Sequence, residues 1–317
     1  MYDQSQLDRL GYLERLMLRL TIGAVQLPDE IQERHARYVI TRQRPDGGWS
    51  GREGESDPYY TSFALRCLAV LGLLEGAIAE RCTKFLLTRL HGHESIVDLL
   101  SIVYSTKLIE AACGLEPLAD IHRAWELRLT ELLYSLRRSD GGFSKSLEGQ
   151  AGSTYQTFLA LLCLELLGQP LPEEERTATF LLNQRQSDGG FLEIRVAKRS
   201  GTNPTAAALG ALRILKLLAP EIEKSAANFL LDLQTEEGGY QANTRIPLPD
   251  LLSTFTASVS LTDAGELGES DLAAAWKYVS SMELATGGFR GFELDHGDDV
   301  EYTFYGLGTF ALLNSVE

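Results

Sequence analysis

The chain has 317 residues, 44% of them hydrophobic and 23% charged, the composition of a globular protein able to bury a substantial core. Its 29 Lys and Arg stand against 44 Asp and Glu, a formal charge of −15, which makes nucleic acid and an anionic membrane surface poor partners, since both need a basic patch. Four widely spaced cysteines, Cys67, Cys82, Cys113 and Cys163, form no CxxC pair, so neither a disulfide framework nor a cysteine zinc cluster is expected. The N-terminus lacks the basic and apolar regions of a signal peptide, and no apolar run is long enough to span a bilayer. A cytoplasmic setting follows as the expectation.

Residues before about 30 read as an extra helix packed outside the rest. From there the chain repeats. Residues 31–43 form an amphipathic stretch leading to Gly47-Gly48-Trp49, a polar loop, and a run at 59–74 that is apolar or small on almost every side. The glycine pair returns as Gly141-Gly142-Phe143, Gly189-Gly190-Phe191, Gly238-Gly239-Tyr240 and Gly287-Gly288-Phe289. Steps between second glycines are 94, 48, 49 and 49, so a degenerate copy is due near residue 95, where the chain reads His91-Gly92-His93-Glu94-Ser95. His91-x-His93 is a weak candidate metal pair, a polar surface loop being the simpler reading.

Each unit therefore predicts a helical hairpin with one half-wet outer helix and one buried inner helix. Asp57 before Pro58, Ser153, and Asn203 before Pro204 read as caps of inner helices. The terminal units keep their apolar inner runs, at 59–74 and 302–313, where an open solenoid would show polar capping repeats. The expected fold is all-α: an α/α toroid of six hairpins in one domain over 1–317, with repeats from about residue 31. Six parallel inner helices would bring their N-termini to one rim, where unpaired amides and dipoles favour an anion. Aromatic residues near those starts, Tyr59, Tyr60, Tyr155, Phe255, Tyr302, Phe304 and Tyr305, are candidate contacts for an apolar chain or a carbocation.

Tyr38-Val39-x-x-x-Gln43 with Pro45-Asp46-Gly47-Gly48-Trp49, and Phe229-Leu230-x-x-x-Gln234 with Gly238-Gly239-Tyr240, resemble the prenyltransferase and squalene-cyclase repeat. Arg44 to Trp49 followed by Asp57 and Tyr60-Thr61-Ser62 looks most like the β subunits of protein prenyltransferases, notably the Rab geranylgeranyltransferase type. The resemblance implies an isoprenoid diphosphate in the central cavity and transfer of the prenyl group, with an α-like subunit or protein acceptor as partner. It also implies a zinc ion that lowers a thiol pKa, held by an Asp-x-Cys at the fifth inner helix and a His at the sixth. Asp250 matches the aspartate, but Leu252 stands at the cysteine position. Asp299-Val300-Glu301-Tyr302-Thr303 places Tyr302 at the histidine. Arg245 matches the family's diphosphate arginine; its lysine partner has no match among Ile246, Pro247 and Leu248, and Ser253 replaces a tyrosine. The family's histidine at the fourth inner helix falls near Ser200 or Gly201, beside the basic loop of Arg195, Lys198 and Arg199.

A second reading within the fold is a terpene cyclase that protonates its substrate. His296-Gly297-Asp298-Asp299 is the nearest stretch to that family's acid motif, with Asp295, Glu293 and Glu301 as neighbours able to keep one carboxyl protonated, or to bind magnesium. Asp250, Asp298 and Asp299 are thus the candidate catalytic groups. Two other readings remain: a lipid-binding or scaffold toroid that has lost its zinc site, and a carbohydrate-acting enzyme, which would need two carboxylates about 5–10 Å apart in the cavity.

Overall fold

The computed structural model describes residues 10–90, 95–117 and 122–315, the side chains of 122–124 excepted; His91 and His93 lie outside the described residues. After helix α1 (Tyr12–Val25), outer and inner helices alternate. The outer ones are α2 (Asp29–Thr41), α4 (Gly76–Leu87), α6 (His122–Ser135), α8 (Glu174–Leu182), α10 (Pro220–Leu231) and α12 (Leu272–Met282). The inner ones are α3 (Pro58–Val70), α5 (Ile96–Cys113), α7 (Thr154–Leu166), α9 (Thr202–Ile214), α11 (Leu251–Asp263) and α13 (Val300–Asn314). Burial follows the sequence pattern: α2 buries His35, Ala36, Tyr38 and Val39 on one stripe, whereas α13 is buried nearly all round. Each inner helix packs on the next, and α13 returns to α3, so the ring closes.

One backbone device is repeated at the rim. The aromatic residue after each glycine pair is bridged to the residue that caps the following inner helix, as Trp49 to Asp57, Phe143 to Ser153 and Phe191 to Gly201. The same pairing lengthens into β1 (Tyr240–Gln241) with β2 (Pro249–Asp250) and β3 (Phe289–Arg290) with β4 (Asp298–Asp299), joining Tyr240 to Asp250 and Phe289 to Asp299. The amides of Trp49, Phe143, Phe191 and Tyr240 donate to the hydroxyls of Thr61, Thr157, Thr205 and Thr254 at 2.9–3.0 Å. These buried amides therefore keep their partners while the aromatic rings enter the core.

The first glycine of the pair permits the reversal. Gly238 has φ +97°, and a Cβ there would sit 2.1 Å from the Ala274 carbonyl oxygen on α12. Gly238→Ala adds left-handed strain to a backbone clash and is expected to cost about 2–4 kcal/mol, read as a lowered midpoint in thermal unfolding. An unchanged midpoint would contradict that close approach.

Ring closure joins the first hairpin to the last through polar contacts. Glu283 accepts from Arg34 and faces His35 Nε2 at 2.9 Å. Asp298 accepts from the Tyr38 hydroxyl at 2.5 Å and from Arg42 at 2.9 Å. Arg52 reaches Asp295 at 2.8 Å and Asp299 at 3.3 Å.

Two expectations are corrected. Helix α1 does not pack on the outside of the ring: it lies across the mouth formed by the inner helices' C-terminal ends. Its Tyr12 amide donates to Glu165 of α7 at 2.7 Å, and Arg19 pairs with Asp263 of α11 at 2.7 Å. Gly23 lies so close to the Ala311 backbone of α13 that a Cβ would meet its oxygen at 2.0 Å. Asn203 is not a cap, because the cap of α9 is Gly201, two residues earlier; its side chain instead accepts from Thr256 at 2.7 Å.

Candidate functional site

The six inner helices share one register. Counted from their N-caps, Asp57, Ser95, Ser153, Gly201, Asp250 and Asp299, the residues two positions on are Tyr59, Val97, Tyr155, Asn203, Leu252 and Glu301, and all six line one central cavity. Six positions on, Phe63, Ser101, Leu159, Ala207, Thr256 and Tyr305 line its middle; nine on, Arg66, Tyr104, Leu162 and Val259 line its depth. At 1.5 Å of rise per residue the first and third layers are roughly 10 Å apart. Tyr12, Leu13 and Leu16 of α1 form the floor. The cavity holds about 530 Å³, within the range of small-molecule sites, and its wall is mostly apolar.

Of the residues singled out from the sequence, Tyr59, Tyr155, Phe255, Phe304 and Tyr305 line this cavity, while Tyr60, Tyr302, Arg245 and the three aspartates are not among its lining. Tyr60 and Tyr302 sit three residues after their caps, one position off the inward register. Arg245 is exposed on its loop. Asp250, Asp298 and Asp299 are accounted for by structure. Asp250 and Asp299 occupy the same cap position as Asp57, accepting from the amides of Ser253 at 2.7 Å and Tyr302 at 3.0 Å. Asp298 is engaged at the seam. The aspartate pair is therefore turned toward backbone and seam cations rather than toward a ligand.

Three charged side chains do enter the cavity; of these the sequence reading named only Glu301, and only as a neighbour able to keep an adjacent aspartate protonated. Glu301 accepts on Oε1 from the Tyr59 hydroxyl at 2.6 Å and from the Tyr305 hydroxyl at 3.1 Å. Burial raises its pKa above the usual carboxylate value; Asp299 adds to the rise, and the two phenols and Arg66 oppose it. Glu193, on the loop after α8, is raised by burial in the same sense. Arg66 places its guanidinium 4.5 Å from the Phe63 ring centre and 4.6 Å from that of Tyr104. Among the described residues it has no ion-pair partner, and its buried Nε has no hydrogen bond. A lone arginine within the apolar run 59–74 was the available signal.

Around these groups the aromatic rings pack edge to face. Tyr59 meets Phe63 at 5.0 Å, Phe63 meets Tyr305 at 5.3 Å, and Phe255 meets Phe304 at 5.3 Å. Such a wall suits an apolar chain and can stabilise a cation formed along it.

A zinc ion of the kind implied by the resemblance does not fit these residues. Both Asp250 oxygens are engaged with Ser253, the Leu252 side chain is apolar, and the Tyr302 ring lies toward Arg52. Among the described residues no group of three His, Cys, Asp or Glu side chains converges as a metal site. No helix among them is long and apolar enough to cross a membrane.

A family model described as prenyltransferase alpha-alpha toroid domain matches residues 12–96 and 100–317. No curated protein matches at the level of sequence. In structure the chain is similar to Candida albicans protein geranylgeranyltransferase-I complexed with GGPP, with 15% identity and a TM-score of 0.59 over 99% of this chain and 87% of that one. It is similar to the apo type II terpene cyclase MstE from Scytonema, with 14% identity and a TM-score of 0.62 over 94% and 98%. A variant of that cyclase bound to geranylgeranyl dihydroxybenzoate matches at 14% identity and a TM-score of 0.60 over 95% and 98%. At these identities the likeness is one of fold.

Proposed function

The chain belongs to the prenyltransferase alpha-alpha toroid family, and we propose that it holds an isoprenoid chain in its central cavity and initiates that chain's cyclisation by protonation from Glu301. The observation that carries this reading is the placement of that carboxyl, in the outermost layer of an aromatic cavity with two phenols on one oxygen. Burial raises this carboxyl's pKa and so favours the acid form, and the two phenol hydrogen bonds stabilise the carboxylate left when the proton is transferred. The proton bonds to one carbon of the terminal alkene and leaves a cation on the other. The next double bond attacks that cation and closes a ring, and loss of a proton from the last cation completes the balance. The rings of Tyr59, Phe255 and Tyr305, which line the cavity, would stabilise the cations.

Arg66 supports a substrate that carries an anionic group into the cavity, since its half-buried guanidinium has no ion-pair partner among the described residues. One guanidinium matches a carboxylate in bidentate geometry, whereas a diphosphate would leave charge uncompensated. The geranylgeranyl compounds held by the two structural neighbours supply probes of both kinds. This reading requires neither zinc nor an α-like subunit, and it is preferred to thiol prenylation because among the described residues no three His, Cys, Asp or Glu side chains converge to activate a thiol.

Incubated in D₂O with geranylgeranyl dihydroxybenzoate, and in parallel with geranylgeranyl diphosphate, the protein is expected to form a cyclised product carrying one deuterium at the protonated carbon. Mass spectrometry reads the increment. A product without deuterium overturns the protonation step. Binding without any product would leave the toroid as an isoprenoid carrier.

A further inference from the structure

The net charge of −15 argues against an anionic surface as a partner, yet the charge is not evenly spread. Three successive rim loops, 144–152, 192–200 and 241–249, carry the exposed cations Lys145, Arg195, Lys198, Arg199 and Arg245. Among the described residues none of these five makes an ion pair. The single exposed acid on the same loops is Glu148. Interleaved with the cations are exposed Leu147, Ile194, Val196, Ile246 and Leu248, with Val196 80% accessible. The loops are neighbours along the rim: the Thr154 amide donates to the Glu193 carbonyl at 2.9 Å, and the Thr202 amide to the Ala242 carbonyl at 3.0 Å. They border the cavity's outermost layer, where Tyr155 and Asn203 stand. The first rim loop, 50–57, carries no large apolar side chain, and the last, 290–298, exposes Phe292 and Leu294 on either side of Glu293 rather than beside free cations, so the patch that combines both features is one-sided.

We propose that this half of the rim docks on an anionic lipid bilayer, setting the cavity mouth against the lipid. Apolar side chains scattered singly over a surface need no explanation. Five of them on three adjacent loops that also carry five unpaired cations, in an acidic protein, match the two-part chemistry of a bilayer interface: apolar insertion and attraction to anionic headgroups. A flat acidic protein partner would pair the cations but leave Val196 and Ile246 standing in water. A bilayer accommodates both, and gives an apolar ligand a route into the cavity that avoids bulk water. The acids of the other rim loops, Glu53, Glu55 and Glu293, would be repelled by the same surface and bias the protein toward one orientation.

The test is co-sedimentation of the full chain with phosphatidylserine/phosphatidylcholine vesicles and with phosphatidylcholine vesicles alone. Partition to the anionic vesicles is expected, at least about tenfold above the neutral ones and weakened by salt. Replacing Arg195, Lys198 and Arg199 together by Ala is expected to lower partition at least about tenfold, and Val196→Asp with Ile246→Asp to lower it similarly. All five positions are exposed and outside the cavity lining, so unchanged thermal midpoints would show the variants folded. No partition to anionic vesicles at low salt would overturn the proposal. So would partition that survives both sets of substitutions, which would put the contact elsewhere on the molecule.

Discussion

Glu301→Gln is expected to lower cyclisation at least about 100-fold while leaving isoprenoid affinity within a few-fold of the original. The amide keeps the size of the side chain and still offers an oxygen to the Tyr59 and Tyr305 hydroxyls, so the cavity wall persists. It carries no transferable acidic proton, so the first step fails. The pH profile gives an independent readout. A general acid works while protonated, and burial raises this carboxyl's pKa, so the rate should fall as pH rises through a value above the ordinary carboxylate range. Tyr59→Phe removes a phenol whose hydrogen bond opposes the rise, and is therefore expected to move that alkaline limb to still higher pH. A Glu301→Gln enzyme that keeps most of its turnover would sink the assignment, and an inflection that ignores Tyr59→Phe would separate the titrating group from Glu301.

The ring was legible because its two signals are covalent necessities. Glycine pairs mark where the backbone must take left-handed angles against a neighbouring helix, and an apolar run on every side marks a helix packed by others on every side. The site was legible only by element. Tyr59, Tyr155, Phe255, Phe304 and Tyr305 line the cavity, but aromatic character alone cannot distinguish them from Tyr60 and Tyr302, which lie one residue off the inward phase. That phase is fixed by the caps. Aligning Asp57, Ser153, Gly201, Asp250 and Asp299 on the bridged aromatics puts the second, sixth and ninth residues inward and moves attention from Asp299 to Glu301. The paired aspartates drew notice as a cluster of like charges. In three dimensions Arg42, Arg52 and the Tyr38 hydroxyl, some 250 residues away in sequence, neutralise that cluster. The place of α1 was hidden for a related reason. Its apolar stripe is as well suited to an outer groove as to the end of the ring, and only Gly23 and Arg19 mark which.

The seam between first and last hairpins is where closure can be tested most sharply. Glu283→Ala is expected to destabilise the protein by about 3 kcal/mol, toward the lower end for breaking a largely buried ion pair, because His35 loses its acceptor and Arg34 keeps only the exposed Glu30. His35 is fully buried, stacks on Phe289 at 4.6 Å, and accepts from the Gly288 amide through Nδ1 at 3.0 Å. Its proton must then lie on Nε2, pointing at Glu283. Burial lowers the His35 pKa, in keeping with that neutral tautomer. For Glu283, burial acts upward, but the His35 hydrogen bond and the Arg34 guanidinium outweigh it and hold the carboxyl below its usual range. A depressed carboxylate contributes stability above its unfolded pKa and loses it as pH falls through the folded value. The gap in thermal midpoint between the original protein and Glu283→Ala should therefore be about 4–5 °C near neutrality and close on acidification below about pH 4.5. Equal midpoints at neutral pH would mean that the apolar faces of α3 and α13, with α1 packed on both, close the ring unaided. A gap that persisted unchanged in acid would show that the variant loses packing rather than charge.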